Sequence, residues 1–71
     1  MKTAFFQSND FAYFAEVTKV ETTSDEFNLK ITSQWFSAKN PSEEHTQLQV
    51  TCSRNDFLKL AELLREGVSN A

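Results

Sequence analysis

A strand pattern that runs directly into a capped helix, in residues 46–66, limits most strongly what this chain can fold into. Apolar and polar residues alternate over residues 46–52, which is the period of a half-buried strand. Beyond Ser53 the apolar residues recur at helical spacing and form one stripe: Phe57, Leu60, Ala61, Leu64 and Val68. Such a helix needs a sheet to pack against, so the residues before it are expected to build one.

The ends of this helix carry recognisable signals. Ser53 with Asp56 three residues later resembles a capping box, and Asp56 suits the positive end of the helix dipole. Gly67, the only glycine, stands where a C-cap is expected. The helix is therefore predicted to end there, with residues 68–71 as a frayed tail.

Three further strand segments precede this unit, at residues 2–6, 11–22 and 26–37. Polar or turn-forming residues separate them, at 7–10, 22–25 and 38–45. The order predicts an α+β domain, a four-stranded antiparallel β-meander followed by one C-terminal α-helix. The alternation blurs near Lys19, which indicates either a bulge or an edge there. The helix is expected to lie across the face that carries Phe27, Leu29, Ile31, Leu48 and Val50.

The length of 71 residues predicts a single domain. A chain of this size buries only ~60% of its unfolded surface, so a monomer would be marginally stable. Cys52 is the only cysteine, which excludes an intramolecular disulfide, and one Cys with one His cannot close a zinc site. Tight packing or oligomerisation must supply the remaining stability, and we expect a homodimer.

The charge and the apolar runs exclude several classes of function. A net charge of −3 argues against a general nucleic-acid binder and suits a basic partner. No apolar run approaches membrane-spanning length, and residues 1–10 lack the apolar core of a signal peptide. With a free cysteine and no targeting signal, the expected location is the cytoplasm.

Candidate catalytic residues are few. His45 has no second ligand or acid/base partner at a defined spacing, and a solvated acidic loop explains it better. Cys52 is in register with Leu48 and Val50, so a small core residue explains it better than a nucleophile. The chain is expected not to be an enzyme and to hold no metal or cofactor.

The surplus of aromatic residues is more informative, since seven of the 71 residues are Phe. Adjacent residues of a regular strand alternate between faces, so Phe5 and Phe6 are not both expected inward. The predicted apolar patch on the open face of the sheet consists of Phe6 (or Phe5), Phe14 and Phe36. It is explained by burial in a homodimer or under a bulge or terminus, by a protein partner, or by base stacking. Leu58 and Leu63 lie outside the helix stripe and are the predicted dimer contacts.

Residues 27–64 resemble one known family. The strand with a late aromatic pair, NLKITSQWF, is followed by a polar loop with a proline and then by TQLQVTCSRNDFLKLAELL. This arrangement resembles the C-terminal domain of the transcriptional coactivator positive cofactor four and its bacterial and phage relatives. The resemblance implies a dimeric β-β-β-β-α domain that binds single-stranded DNA on its strands. By that resemblance the nucleic-acid contacts would be Lys30, Gln34, Trp35 and Lys39.

The family carries Lys and Arg where this chain is acidic, with Glu43 and Glu44 in the predicted loop. The leading prediction is therefore a small non-catalytic protein-interaction module, a phage-type or regulatory modulator of another macromolecule. The alternative is a single-stranded nucleic-acid-binding protein of the positive cofactor four-like type.

Overall fold

A computed structural model describes residues 1–22 and 25–71 of the chain. Its elements in chain order are β1 (Lys2–Gln7), β2 (Phe11–Lys19), β3 (Glu26–Trp35), β4 (Glu44–Ser53) and α1 (Arg54–Ser69). The strands form one antiparallel sheet in the order β1-β2-β3-β4. The predicted α+β meander with a C-terminal helix is thereby confirmed.

The register between β2 and β3 divides the sheet into two chemically different faces. It runs without interruption from the Phe11–Trp35 pair to the Lys19–Phe27 pair. Directly paired residues share a face, so the odd-numbered positions of both strands lie together. We call the face that carries these residues the apolar face, and the opposite one the polar face. The apolar face holds Phe11, Tyr13, Ala15, Val17, Phe27, Leu29, Ile31 and Trp35, with Leu48, Val50 and Cys52 of β4 beside them.

A bulge in β1 changes which way its side chains point. The register with β2 shifts between Ala4 and Phe6, so Phe5 is the extra residue. The rings of both Phe5 and Phe6 lie against Tyr13 on the apolar face. The expectation that these two residues face opposite sides is therefore wrong. Of the two alternatives near Lys19, the bulge is not formed, because the β2–β3 register runs unbroken to Lys19, the last residue of β2.

The helix begins as predicted and ends later than predicted. The Ser53 hydroxyl oxygen accepts a hydrogen bond from the Asp56 backbone N–H at 3.3 Å, which caps the first turn. Gly67 lies inside the helix, which continues to Ser69, and the Asn70 N–H donates to the Glu66 carbonyl at 3.0 Å. No described residue has a positive φ, so the left-handed glycine cap is not used.

The first three strands begin where predicted, and the other strand boundaries differ from the predicted ones by one to three residues. β2 stops at Lys19, and the hydrogen bond from the Val20 N–H to the Glu26 carbonyl at 3.0 Å closes the hairpin beyond it. β4 already begins at Glu44, so His45 belongs to a strand and not to the predicted loop. The turn predicted at residues 22–25 lies partly outside the described residues.

The packed core is very small. Among the described residues, Ala12 is the one apolar residue that is fully buried, and Phe57 is the one helix residue that is not exposed. The dimensions of 40 × 37 × 16 Å describe a flat molecule in which most side chains reach a surface. Leu48, predicted to lie beneath the helix, is 46% exposed because the helix meets only one end of the apolar face.

Candidate interaction surface

An open groove separates α1 from the apolar face of the sheet. The groove has a volume of about 340 Å³. Its sheet wall is formed by Val17, Phe27 and Leu29. Its helix wall is formed by Phe57, Leu58, Leu60, Ala61 and Leu64, with Arg54 at the end where strand passes into helix. We call this feature the helix groove, and its chemistry is that of an apolar binding cleft.

The helix carries more apolar surface than the sheet covers. Leu58 and Leu64 are each 61% exposed although both line the helix groove, and Val68 is 78% exposed. Burying a leucine fully is worth about 1.5–3 kcal/mol, so these side chains retain most of that free energy for another contact.

The opposite end of the apolar face carries five aromatic rings, which we call the aromatic cluster: Phe5, Phe6, Phe11, Tyr13 and Trp35. Phe11 is at its centre, 4.7 Å from Tyr13 and 4.4 Å from Trp35 between ring centroids. Phe5 stacks on Tyr13 at 5.8 Å with an angle of 14° between the rings. These offset and edge contacts are the preferred aromatic geometries and fix the rings to one another.

The polar face holds a small charged pocket of about 150 Å³. The Glu44 carboxylate accepts hydrogen bonds from the Lys2 ammonium at 2.5 Å and from the Thr32 hydroxyl at 3.2 Å. The bond from Lys2 and then that from Thr32 hold the pKa of Glu44 below its usual value, against an opposing effect of burial. Lys30 and Glu16 also line the pocket, so its two lysines and two glutamates carry opposite and equal formal charges.

The predicted patch of Phe6, Phe14 and Phe36 is not assembled. Phe6 lies on the apolar face, because of the bulge, whereas Phe14 lies on the polar face with the Lys2 ammonium 4.9 Å from its ring centroid. Phe36 is partly buried beyond the end of β3, where its N–H donates to the Asp10 carbonyl. The exposed aromatic surface is therefore on the same side as the helix and not opposite to it.

The two predicted dimer contacts point in different directions. Leu58 and Leu63 are both 61% exposed. Five residues of α-helix separate them, which is a rotation of about 140° at 3.6 residues per turn. Only Leu58 lines the helix groove, so no single flat contact buries both.

The nucleic-acid contacts implied by the family resemblance are also divided between faces. Trp35 is on the apolar face, 48% exposed, whereas Lys30 lies in the charged pocket of the polar face. The Gln34 amide donates to the Pro41 carbonyl at 2.7 Å, and Lys39 is exposed in the turn after β3. A base stacked on Trp35 is thus not placed beside Lys30.

His45 and Cys52 stay apart. His45 is paired with Ser33 and Cys52 with Phe27, and both lie in the same extended strand. Seven residues of strand separate them by roughly 23 Å. The described part of the chain contains no group of three or more His, Cys, Asp or Glu side chains placed to hold a metal ion.

Sequence reasoning missed the helix groove and the aromatic cluster as surfaces. The alternation places Tyr13 and Trp35 on one face of their strands, but it does not show whether the helix covers them. The missed signal was one of size, because one 16-residue helix cannot cover a face formed by strands of nine and ten residues.

Comparisons with protein-family profiles, with curated proteins and with solved structures find no match to this chain. In residues 1–22 and 25–71, no helix has the length and apolar character needed to cross a bilayer.

Proposed function

We propose that this chain is a small non-catalytic protein-interaction module that modulates another macromolecule by burying its apolar face against it. One observation carries the proposal: the apolar surface is exposed from the aromatic cluster to the helix groove, while Ala12 is the one fully buried apolar residue among those described.

The size of this surface supports a macromolecular partner. Nine of its side chains are between 37% and 61% exposed: Phe5, Phe6, Tyr13, Val17, Trp35, Leu48, Leu58, Leu60 and Leu64. At about 100 Å² each, they present on the order of 900 Å² of apolar surface. A typical monomer shows a largest patch of about 300–600 Å², and a stable interface buries about 800 Å² per partner. The surface therefore matches an interface in area.

The charge of the chain indicates the kind of partner. The net charge of −3 favours association with a basic protein, including one that itself binds nucleic acid. The apolar face carries Lys19 in register with Phe27, and Arg54 lines the helix groove with its charge paired to Asp25. Apolar burial would supply affinity, and the net negative charge of the whole chain would supply the preference for a basic partner.

The test compares two doubly substituted proteins with the wild type. The first protein, Tyr13→Glu with Leu64→Glu, places one acid in the aromatic cluster of the apolar face and one in the helix groove. The control, Thr18→Glu with Asn55→Glu, places two acids at exposed polar positions. We expect the wild type and the control to capture the same basic protein from a lysate, and the apolar-face variant to lose it. Isothermal titration with the purified partner must reproduce that order, and circular dichroism must show all three proteins folded. Equal capture by all three would contradict the proposal.

A second candidate function is single-stranded nucleic-acid binding, favoured by the exposed rings of the aromatic cluster. Titration of oligo-dT at ~50 mM salt, followed by Trp35 fluorescence, tests it under conditions in which phosphate-driven affinity is large. Quenching that is lost in Tyr13→Ala would favour this function, and no change in fluorescence would exclude it.

A further inference from the structure

The outer edge of β4 is the least protected part of the sheet. Within the part of the chain that the structure describes, β4 pairs with β3 and with no other strand, and residues 48–53 pair without irregularity. This stretch has no charged residue, no proline and no glycine, and the side chains of Gln49 and Thr51 are exposed. Such an edge presents a row of backbone N–H and C=O groups to any strand that approaches it.

The other edge of the same sheet is protected in the usual ways. β1 has six residues, begins with Lys2 and is interrupted by the bulge at Phe5. Short length, a lysine and a bulge are all devices that prevent edge-to-edge pairing. β4 has a register shift of its own at Gln47 and begins with the charged Glu44, so the contrast with β1 holds for residues 48–53, which carry neither device. This part of the edge is the part open to another strand.

The direction of the backbone groups shows which residues such a strand would meet. The Arg54 N–H donates to the Asp25 carbonyl at 3.0 Å, and the pairs of Cys52 with Phe27 and Val50 with Leu29 continue the same series at every second residue. Even-numbered positions of this segment therefore direct their backbone groups toward β3. Since alternate residues point in opposite directions, Gln49 and Thr51 direct theirs outward.

We propose that the outer edge of β4 pairs antiparallel with β4 of a second copy of this chain, about a two-fold axis at Val50. The backbone of Gln49 then exchanges hydrogen bonds with that of Thr51 in the other copy, and the two Val50 side chains meet. This inference rests on the proposed function and supplies an interface for the homodimer expected from the sequence.

Self-pairing suits the side chains as well as the backbone. On the apolar side, Leu48 of one copy lies beside Cys52 of the other, and on the polar side Gln49 lies beside Thr51. No like charges face each other, and the two-fold axis closes the assembly at two copies. The product is an eight-stranded sheet with both apolar faces on one side, which gives a partner two equivalent sites and the avidity that follows from them.

A pair of charge variants tests this register. Gln49→Lys with Thr51→Lys places like charges opposite each other twice, whereas Gln49→Lys with Thr51→Glu places opposite charges there. Sedimentation equilibrium should show a wild-type dimer, a dissociation constant raised at least about tenfold in the first variant, and one within about threefold in the second. A monomer at all concentrations, a larger assembly, or equal dissociation constants for both variants would overturn the pairing.

A cysteine substitution tests the symmetry axis independently. In a Cys52→Ser background, Val50→Cys should form a disulfide-linked dimer under mild oxidation, because directly opposed residues of this type lie ~4.5 Å apart between Cα atoms. Thr18→Cys, exposed on an interior strand, should not. Failure of Val50→Cys to cross-link would sink the register. The capture experiment reports separately on the proposed function, since neither Val50 nor Thr18 lines the helix groove or belongs to the aromatic cluster.

Discussion

Phe57 provides the sharpest test of how α1 is held. It is the one helix residue among those described that is not exposed, and it lines the helix groove beside Phe27 and Leu29. Replacing a fully buried Phe by Ala costs about 3–5 kcal/mol, so a partly buried one should cost about 2 kcal/mol. Leu64 lines the same groove but is 61% exposed, so Leu64→Ala should cost less than about 1 kcal/mol.

The assay is urea denaturation of both variants, with helix content followed at 222 nm and the sheet followed by Trp35 fluorescence. A domain of this size has at most a few kcal/mol of stability, so the loss of about 2 kcal/mol from Phe57→Ala is large. Both variants are measured at a protein concentration too low for self-association, so that the free energy of unfolding refers to the monomer. If Leu64→Ala costs as much as Phe57→Ala there, the helix face is covered within the monomer and the helix groove is not an open surface.

Three further outcomes follow from local geometry. The pKa of Glu44 is lower in the folded than in the unfolded state, so its carboxylate stabilises the fold above the unfolded pKa, and this stabilisation is lost as pH falls through the folded pKa. Glu44→Gln should therefore remove about 0.2–1 kcal/mol of the pH-dependent loss of stability on the acid side, as measured by urea denaturation at several pH values, because the pair is so exposed. Ser53→Ala removes the N-cap acceptor and should lower the free energy of unfolding by about 1 kcal/mol, whereas Ser53→Asp should retain most of it. Gly67→Ala should raise the thermal midpoint, by the equivalent of about 0.5–1 kcal/mol, because Gly67 is helical and an added Cβ would meet nothing within 4 Å; a lower midpoint would contradict a helix that passes through this residue.

The order of elements was accessible from the sequence because it depends on local periodicity. The alternation in β3 and the change of period at Ser53 are both local, because strand and helix geometry fix the direction of each side chain within its own segment. The helix start was predictable for the same reason, since Ser53 and Asp56 lie within one turn of each other.

The direction of side chains beyond an irregularity was not accessible. A bulge moves every later residue of a strand to the opposite face of the sheet. The amino-acid sequence of β1 contains no signal that identifies Phe5 as the extra residue. This one displacement separates Phe6 from Phe14 and dissolves the predicted patch. Gly67 failed as a stop signal because Val68 and Ser69 continue the helical hydrogen bonding, and one glycine costs a helix only about 1 kcal/mol.

The extent of helix docking was inaccessible for a different reason. An apolar stripe shows which side of a helix avoids water but not which surface covers it. Leu60 and Leu64 satisfy the same pattern whether they meet this sheet or another protein. The candidate surface therefore depends on the tertiary arrangement of the helix and the sheet, which the apolar pattern does not determine.

The ion pair between Lys2 and Glu44 has a consequence for the kinetics of folding. It joins the two edge strands of the sheet across 42 positions of the chain, whereas each hairpin closes over a much shorter loop. Because closing a longer loop costs more chain entropy, we expect the hairpins to form first and this pair to form after the transition state. Weakening it should then accelerate unfolding and leave the refolding rate almost unchanged. β1 is then already held to β2 by its hairpin, and the link between the two edge strands is the last of these contacts to form.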